Sequence, residues 1–403
     1  MNIHPTTPNE RLESLDIVRG FALFGIFLVN MPAFQWPDLL AQLYLLPESL
    51  SALDERIRLF FDLLIQGKFY TIFAFLFGVG FYLFMNKASN QGDGGWRLYL
   101  RRIGVLALFG FIHLVFFWYG DILLTYALAG LFLLFFYHRS VKTLLVWACL
   151  LMVLFAILIA LNILLISSFS EAQLGEVTAL GEAAIDEAIT IYQQANINEW
   201  LAYRWQAEVI PILENIPFSA LSVLFMFLMG LVAAKKGFIQ HPESHRLLLY
   251  KVIGIGLVLS LPISVTIILL HLGILHFGLL TSYIRHVLVS ISGVFLSLVY
   301  IAFLLLLLQK EKWLHRLRPL GYAGRMALSN YIGQTLVGVG IYTGLGWFGQ
   351  INLLQGVLIA VPVYILQIIF SYYWLKRYRF GPLEWIWRSL TYGKIQPMKN
   401  LLP

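Results

Sequence analysis

About ten long apolar runs, separated by short charged joints, constrain this 403-residue chain more than any single motif in it. Apolar residues make up 60% of the chain and charged residues only 12%, and the mean hydropathy is +0.79. A soluble domain of this length has no interior large enough to hide that much apolar surface. The sequence therefore reads as an all-α, polytopic membrane protein with about ten transmembrane helices. Spans are expected near residues 15–34, 66–86, 101–118, 121–137, 142–167, 213–234, 251–270, 284–308, 322–342 and 353–375.

The charges support that count. With the N-terminus inside and strict alternation, 23 of the 28 Lys and Arg residues fall on the cytoplasmic side. They run from Arg11 and Arg19, through Arg101, Arg102 and Arg325, to Arg388 and Lys399. Arg56, Arg58, Lys68, Arg204 and Arg285 remain outside. Segregation of this kind is the positive-inside rule, and it places both termini in the cytoplasm. It also explains the net charge of +7 without a nucleic-acid partner. The N-terminal stretch Glu10, Arg11, Glu13, Asp16, Arg19 reads as the start of a retained span, not as a cleaved signal.

Two halves are expected: residues 1–212, carrying an outer amphipathic segment at 168–212, and residues 213–403. Ser167, Ser168 and Ser170 mark a helix start. Beyond them Ile189, Tyr192, Trp200 and Tyr203 recur at helical spacing and suit the headgroup belt, as a lid or collar or as a linker helix with no role in binding. Residues 35–65, with Pro37, Pro47 and the run Asp54–Arg58, suggest a second, shorter interfacial helix. No phosphate-binding loop or dinucleotide signature occurs, because Gly78-Val79-Gly80 lies inside an apolar run. Those glycines, and Gly338, Gly340, Gly344 and Gly346, are expected at close helix contacts. Cys149 is expected as a small buried residue, and no metal site is expected.

Ionisable groups in hydrocarbon need a partner or a purpose. His113 and Asp121 are eight residues apart across a tight turn at Gly120, so they meet if the flanking spans form a hairpin. A carboxylate there would fix the histidine tautomer and make it a base; a purely structural pair is the other reading. Asn30, Lys68, His276 and Arg285 are the further polar points expected on the outer, acceptor side, with His271 near them. On the inner side Asp16 and Arg19 share one helix face, and Arg325 opens a span that also carries Asn330. Positive charge beside embedded polar groups suits a phosphorylated cofactor; positive-inside charge with ion pairs fixing helix ends is the other reading.

Several blocks resemble the YeiB-like family of membrane proteins with a DUF418 C-terminal domain. They are Arg11–Gly20, Phe69–Gly80, His113–Gly130, Gly324–Tyr331 and the tail Gly381–Gly393. The Asp16–Arg19–Gly20 element is also similar to the first helix of the transmembrane acyltransferases, the group of the heparan-alpha-glucosaminide N-acetyltransferases. That resemblance implies a bacterial inner-membrane enzyme moving an acyl group from cytoplasmic acyl-CoA, such as acetyl-CoA, to an extracytoplasmic or lipid-linked acceptor. It places Asp16, Arg19 and Arg325 at the CoA side, and His113 and Asp121 at the acceptor side. Lysosomal relatives carry a histidine after the first span; residues 31–67 here contain none, so His113 would take that part. Membrane lipid is the expected neighbour, and small-residue faces allow a homodimer. The rival readings are a transporter of a small or lipidic solute, pointed to by the membrane glycines and Pro262, and a lipid-binding protein without catalysis.

Overall fold

A computed structural model describes residues 12–46, 50–89 and 95–399. Glu10, Arg11 and Pro47, used above, lie outside the described residues. Sixteen α-helices follow in order, and no β-sheet accompanies them among the described residues. In chain order these are α1 (Glu13–Gln35), α2 (Asp38–Leu43), α3 (Ala52–Leu64), α4 (Phe69–Ser89), α5 (Gly95–Phe116) and α6 (Leu123–Phe136). Next come α7 (Val141–Ser167), α8 (Glu171–Gln194), α9 (Ile197–Arg204), α10 (Ile210–Lys235) and α11 (Arg246–His271). The last five are α12 (Leu280–Leu307), α13 (Glu311–Arg325), α14 (Ala327–Tyr342), α15 (Leu353–Arg377) and α16 (Pro382–Tyr392).

Eight stretches are long and apolar enough to cross a membrane. They are α1, α3 with α4, α5, α7, α9 with α10, α11 with its leading turn, α12 and α15. Two expected spans are shorter. α6 has 14 residues, and the span expected at 322–342 is divided at Met326, leaving 16 residues in α14. At 1.5 Å per residue these helices reach roughly 21 and 24 Å, less than the ~30 Å of a hydrocarbon core.

Glycine sets the closest packing. A Cβ on Gly20 would lie 2.0 Å from the Leu320 carbonyl oxygen, and one on Gly324 would lie 1.9 Å from that of Asp16. α1 and α13 therefore touch backbone to backbone. Gly78 of α4 and Gly230 of α10 do the same, since a Cβ on either would lie 2.0 Å from a carbonyl oxygen of the facing helix. Without a hydrophobic force between helices in lipid, such contacts supply the dispersion that holds them. Gly338 sits against the Phe34 ring, whereas Gly340 meets nothing and Gly346 serves a turn with φ +73°. α1 is the most enclosed span, while α7, α11 and α15 present apolar faces outward. Cys149 lies on α7 and is exposed, because its position falls on that outward face.

The segment at 168–212 folds as α8 and α9, followed by a π-helical turn at Trp205–Val209 that runs into α10. Ser170 caps α8 in a reciprocal capping box with Gln173. Tyr192, expected at the headgroups, is instead buried; it stacks on Phe348 at 4.2 Å and donates to Glu208. The helix at 52–64 buries Asp54 and Asp62 on one side and leaves its other side exposed. Asp54 accepts the Leu354 N–H at 3.1 Å and so ties α3 to the start of α15.

Candidate functional site

α5 and α6 form a hairpin that turns at residues 117–122. Gly110 lets the two approach, since a Cβ there would sit 2.3 Å from the Leu124 nitrogen. The turn brings Asp121 back onto α5. Its Oδ2 lies 2.7 Å from His113 Nδ1, and its Oδ1 accepts the Leu124 N–H at 2.7 Å. One carboxylate thus caps α6 and orients the imidazole. His113 Nε2 faces Thr335 Oγ1 of α14 at 2.9 Å. Both side chains of the pair are only 1% exposed. Tyr331 packs on the imidazole at 5.2 Å and donates to the Gly120 carbonyl at 3.0 Å.

On the other face of Tyr331 opens a cavity of about 270 Å³ between α1, α4, α5, α6, α13, α14 and α16. Its walls are apolar, with Phe73, Phe77, Phe81 and Phe84 of α4 prominent. Arg19, Arg102, Arg325 and Arg388 line it, with Asp16 and Glu384. Arg19 pairs with Asp16 at 2.8 Å one helical turn back. Arg102 lies over the Trp387 ring at 3.9 Å. The Nε of Arg325 is buried with no hydrogen-bond partner among the described residues. Glu384 accepts the backbone N–H groups of Leu328 at 2.7 Å and Ser329 at 3.1 Å, and the Ser329 hydroxyl. Burial pushes the Glu384 carboxyl above its ordinary value, against the pull of those hydrogen bonds.

Three of the four residues expected on the cofactor side, Asp16, Arg19 and Arg325, therefore share one cavity. Asn330 does not join them. Its amide donates to the Ala323 carbonyl at 3.1 Å and to Ser371 at 2.9 Å, and it holds α13, α14 and α15 together. The four outer residues do not form one group. Lys68 is fully buried and donates to the Asp62 carbonyl at 2.6 Å. Arg285 and His271 reach the Asp62 carboxylate at 3.6 and 2.9 Å. His276 is exposed beside Thr281, and Asn30 is part-buried on α1 outside the cavity lining. Among the described residues no group of three or more His, Cys, Asp or Glu is arranged to hold a metal ion.

A further buried pair was not anticipated. Arg204 is fully buried; it bonds Glu208 at 2.7 Å and donates to the carbonyls of Leu114 at 2.9 Å and Val115 at 3.1 Å. Those carbonyls directly follow His113, so α9 clamps the end of α5 that carries the imidazole. The four-residue spacing of Arg204 and Glu208 was the signal, but in a polar stretch it reads as a solvated pair. Trp200 covers the guanidinium at 4.7 Å and helps exclude water.

Relatives match nearly the full length of this chain. The chain is 33% identical to the uncharacterized protein YxaH of Bacillus subtilis (strain 168), over 98% of both chains. The chain belongs to the DUF418/YeiB-like family. Residues 233–394, from the end of α10 through α16, match the family described as a protein of unknown function, DUF418. An uncharacterized 39.9 kDa protein in the amylase 3' region of Bacillus acidopullulyticus is 34% identical over 98% of this chain and 97% of its own length. The uncharacterized protein YeiB of Escherichia coli (strain K12) is 29% identical over 95% and 96%. No solved structure matches. In this DUF418/YeiB-like protein the matched region supplies Arg325, Glu384, Trp387 and Arg388 of the cavity, while Asp16, Arg19 and Arg102 come from the first five helices.

Proposed function

We propose that this protein is a transmembrane acyltransferase that draws an acyl thioester such as acetyl-CoA into the cavity from its arginine-lined end. One observation carries the reading. Four guanidinium groups border an apolar cavity whose far wall, Tyr331 and Ile122, backs directly onto His113 and Asp121. Arginines match phosphate oxygens in pairs, and the orphaned Arg325 Nε is a donor with no other employment. The phenylalanine walls suit the acyl end.

In the reaction, the acceptor's hydroxyl or amine gives its proton to His113 Nε2 after the Thr335 hydroxyl turns aside and Tyr331 moves. The acceptor atom bonds to the thioester carbonyl carbon, and the C–S bond then breaks. The thiolate leaves and takes a proton from the imidazolium. Asp121 holds Nδ1–H throughout, so Nε2 is the nitrogen that works. In this reading the chain crosses a bacterial inner membrane ten times, α6 and α14 included, with both termini and the arginine end in the cytoplasm.

The test is purified protein in nanodiscs, titrated with acetyl-CoA and assayed for transfer of labelled acetyl groups to membrane extract. Binding that is lost in Arg325→Ala, and transfer that is lost in His113→Ala with binding retained, are the expected results. Wild-type protein that does not bind acetyl-CoA overturns the proposal. A second reading, binding of an anionic lipid without catalysis, is favoured by the engagement of both His113 ring nitrogens with protein groups. Retained phospholipid with no transfer to any acceptor would select it.

A further inference from the structure

The C-terminal helix α16 places a carboxylate where a phosphate would fit. α14 starts after Met326, whose backbone (φ −112°, ψ 35°) interrupts the helix, and it has no side-chain cap of its own. An uncapped helix start presents free N–H groups and a positive dipole end. Here the Leu328 and Ser329 amides and the Ser329 hydroxyl all point to Glu384, more than fifty residues further along the chain. Ala327, Leu328 and Glu384 line the same cavity as Arg19, Arg102, Arg325 and Arg388. Among the described residues Glu384 takes its hydrogen bonds from these neutral donors and pairs with none of the arginines. Two amides, a hydroxyl and several guanidiniums around one small volume are the donor set of a phosphate site.

We propose that Glu384 occupies the seat of the ligand's phosphate group and that α16 is a latch which an incoming phosphate ester displaces. The inference rests on the reading of the cavity's arginine end as the phosphate end. It adds the seat, the occupant and the moving part. The latch is tied here by the Leu383 N–H, which donates to the Ser329 hydroxyl at 3.0 Å, and by its packing on α5. Trp387 donates to the Arg102 carbonyl at 2.9 Å and stacks under its guanidinium, so the element that leaves also covers an arginine the phosphate needs. Gly381 fits the same role. A Cβ there would lie 2.1 Å from Glu384 Oε2 and 2.9 Å from Ser329 Oγ, so only glycine leaves the carboxylate room in its cage.

The experiment uses the full chain in nanodiscs, with inorganic pyrophosphate as the probe and a nitroxide attached at Leu390→Cys in a Cys149→Ser background. Leu390 is exposed on α16 and lines no part of the cavity. In protein with Glu384 intact, saturating pyrophosphate is expected to raise the label's mobility. Glu384→Gln is expected to tighten pyrophosphate at least about tenfold, because one like charge leaves the seat. Parallel nanodiscs with and without phosphatidic acid separate the sources: competition by that lipid points to a headgroup, and its absence to a soluble phosphate ester. A label that stays equally immobile at saturation, or a Glu384→Gln protein that binds pyrophosphate no tighter, overturns the proposal. If Glu384→Gln does not fold, the label readout on Glu384-containing protein decides alone. Failure of acetyl transfer with the pyrophosphate effects intact would sink the acyltransferase reading and leave the latch standing.

Discussion

Replacing Arg204 with methionine removes a guanidinium and keeps most of the volume of its stem. The side chain is fully buried, and three bonds disappear together: one to Glu208 and two to the carbonyls that end α5. Glu208 then remains as a buried carboxylate held by Tyr192 alone. Burial and the Glu208 charge already push the Tyr192 phenol well above its usual value, so a proton shared along that contact stays with Tyr192. Breaking one half of a buried ion pair costs about 3–5 kcal/mol, largely through the stranded partner. The double variant Arg204→Met, Glu208→Met strands no charge and is expected to recover at least about half of that loss. The assay is reversible unfolding of the detergent-solubilised protein, followed by tryptophan fluorescence in a denaturant series. A single variant within about 1 kcal/mol of wild type would refute the reasoning. So would a double variant no more stable than the single one.

Gly20→Ala is expected to push α1 and α13 apart by about 1 Å and cost about 1–3 kcal/mol, with weaker pyrophosphate binding as Arg19 and Arg325 separate; thermal unfolding and titration check both. Asp121→Asn keeps the shape of the His113 contact but favours the wrong tautomer, so labelled-acetyl transfer is expected to fall about 10⁴-fold while acetyl-CoA binding holds. Asp62→Ala leaves His271 and Arg285 without their shared carboxylate, while the Lys68 bond to the backbone carbonyl stays, and is expected to cost about 3–5 kcal/mol in the same unfolding assay. The raised pKa of Glu384 gives a pH signature. Its folded form holds the proton more tightly than the unfolded one, so the stabilisation is complete below about pH 4.5 and is lost as pH rises through the raised value. The Leu390 label is expected to loosen over that range, and Glu384→Gln is expected to abolish the change.

The hairpin pair was legible in the sequence because its partners are close: eight residues, a glycine at the turn and apolar flanks leave His113 and Asp121 little choice but each other. The enclosure of Asp16, Arg19 and Arg325 was half legible, since charge against an apolar run marks a boundary but does not say what faces it. The rest depends on distant pairing. Asp62 meets His271 across 209 residues, and no periodicity along α3 announces that. The interruption at Met326 is not announced by the sequence, because no proline or turn dipeptide stands there and the backbone alone changes. Tyr192 and Trp200 look like interfacial aromatics by composition. Only the fold reveals Glu208 and Arg204 beneath them.

His113 binds one neighbour eight residues away and another 222 residues away. At 5–20 residues per second, the ribosome delivers Thr335 about 10 to 45 s after the imidazole. During that interval the α5–α6 hairpin carries His113 and Asp121 without Thr335. Their 2.7 Å contact gives each polar group a partner there. Asp121 is thus a chaperone for His113 during biogenesis, before α14 exists.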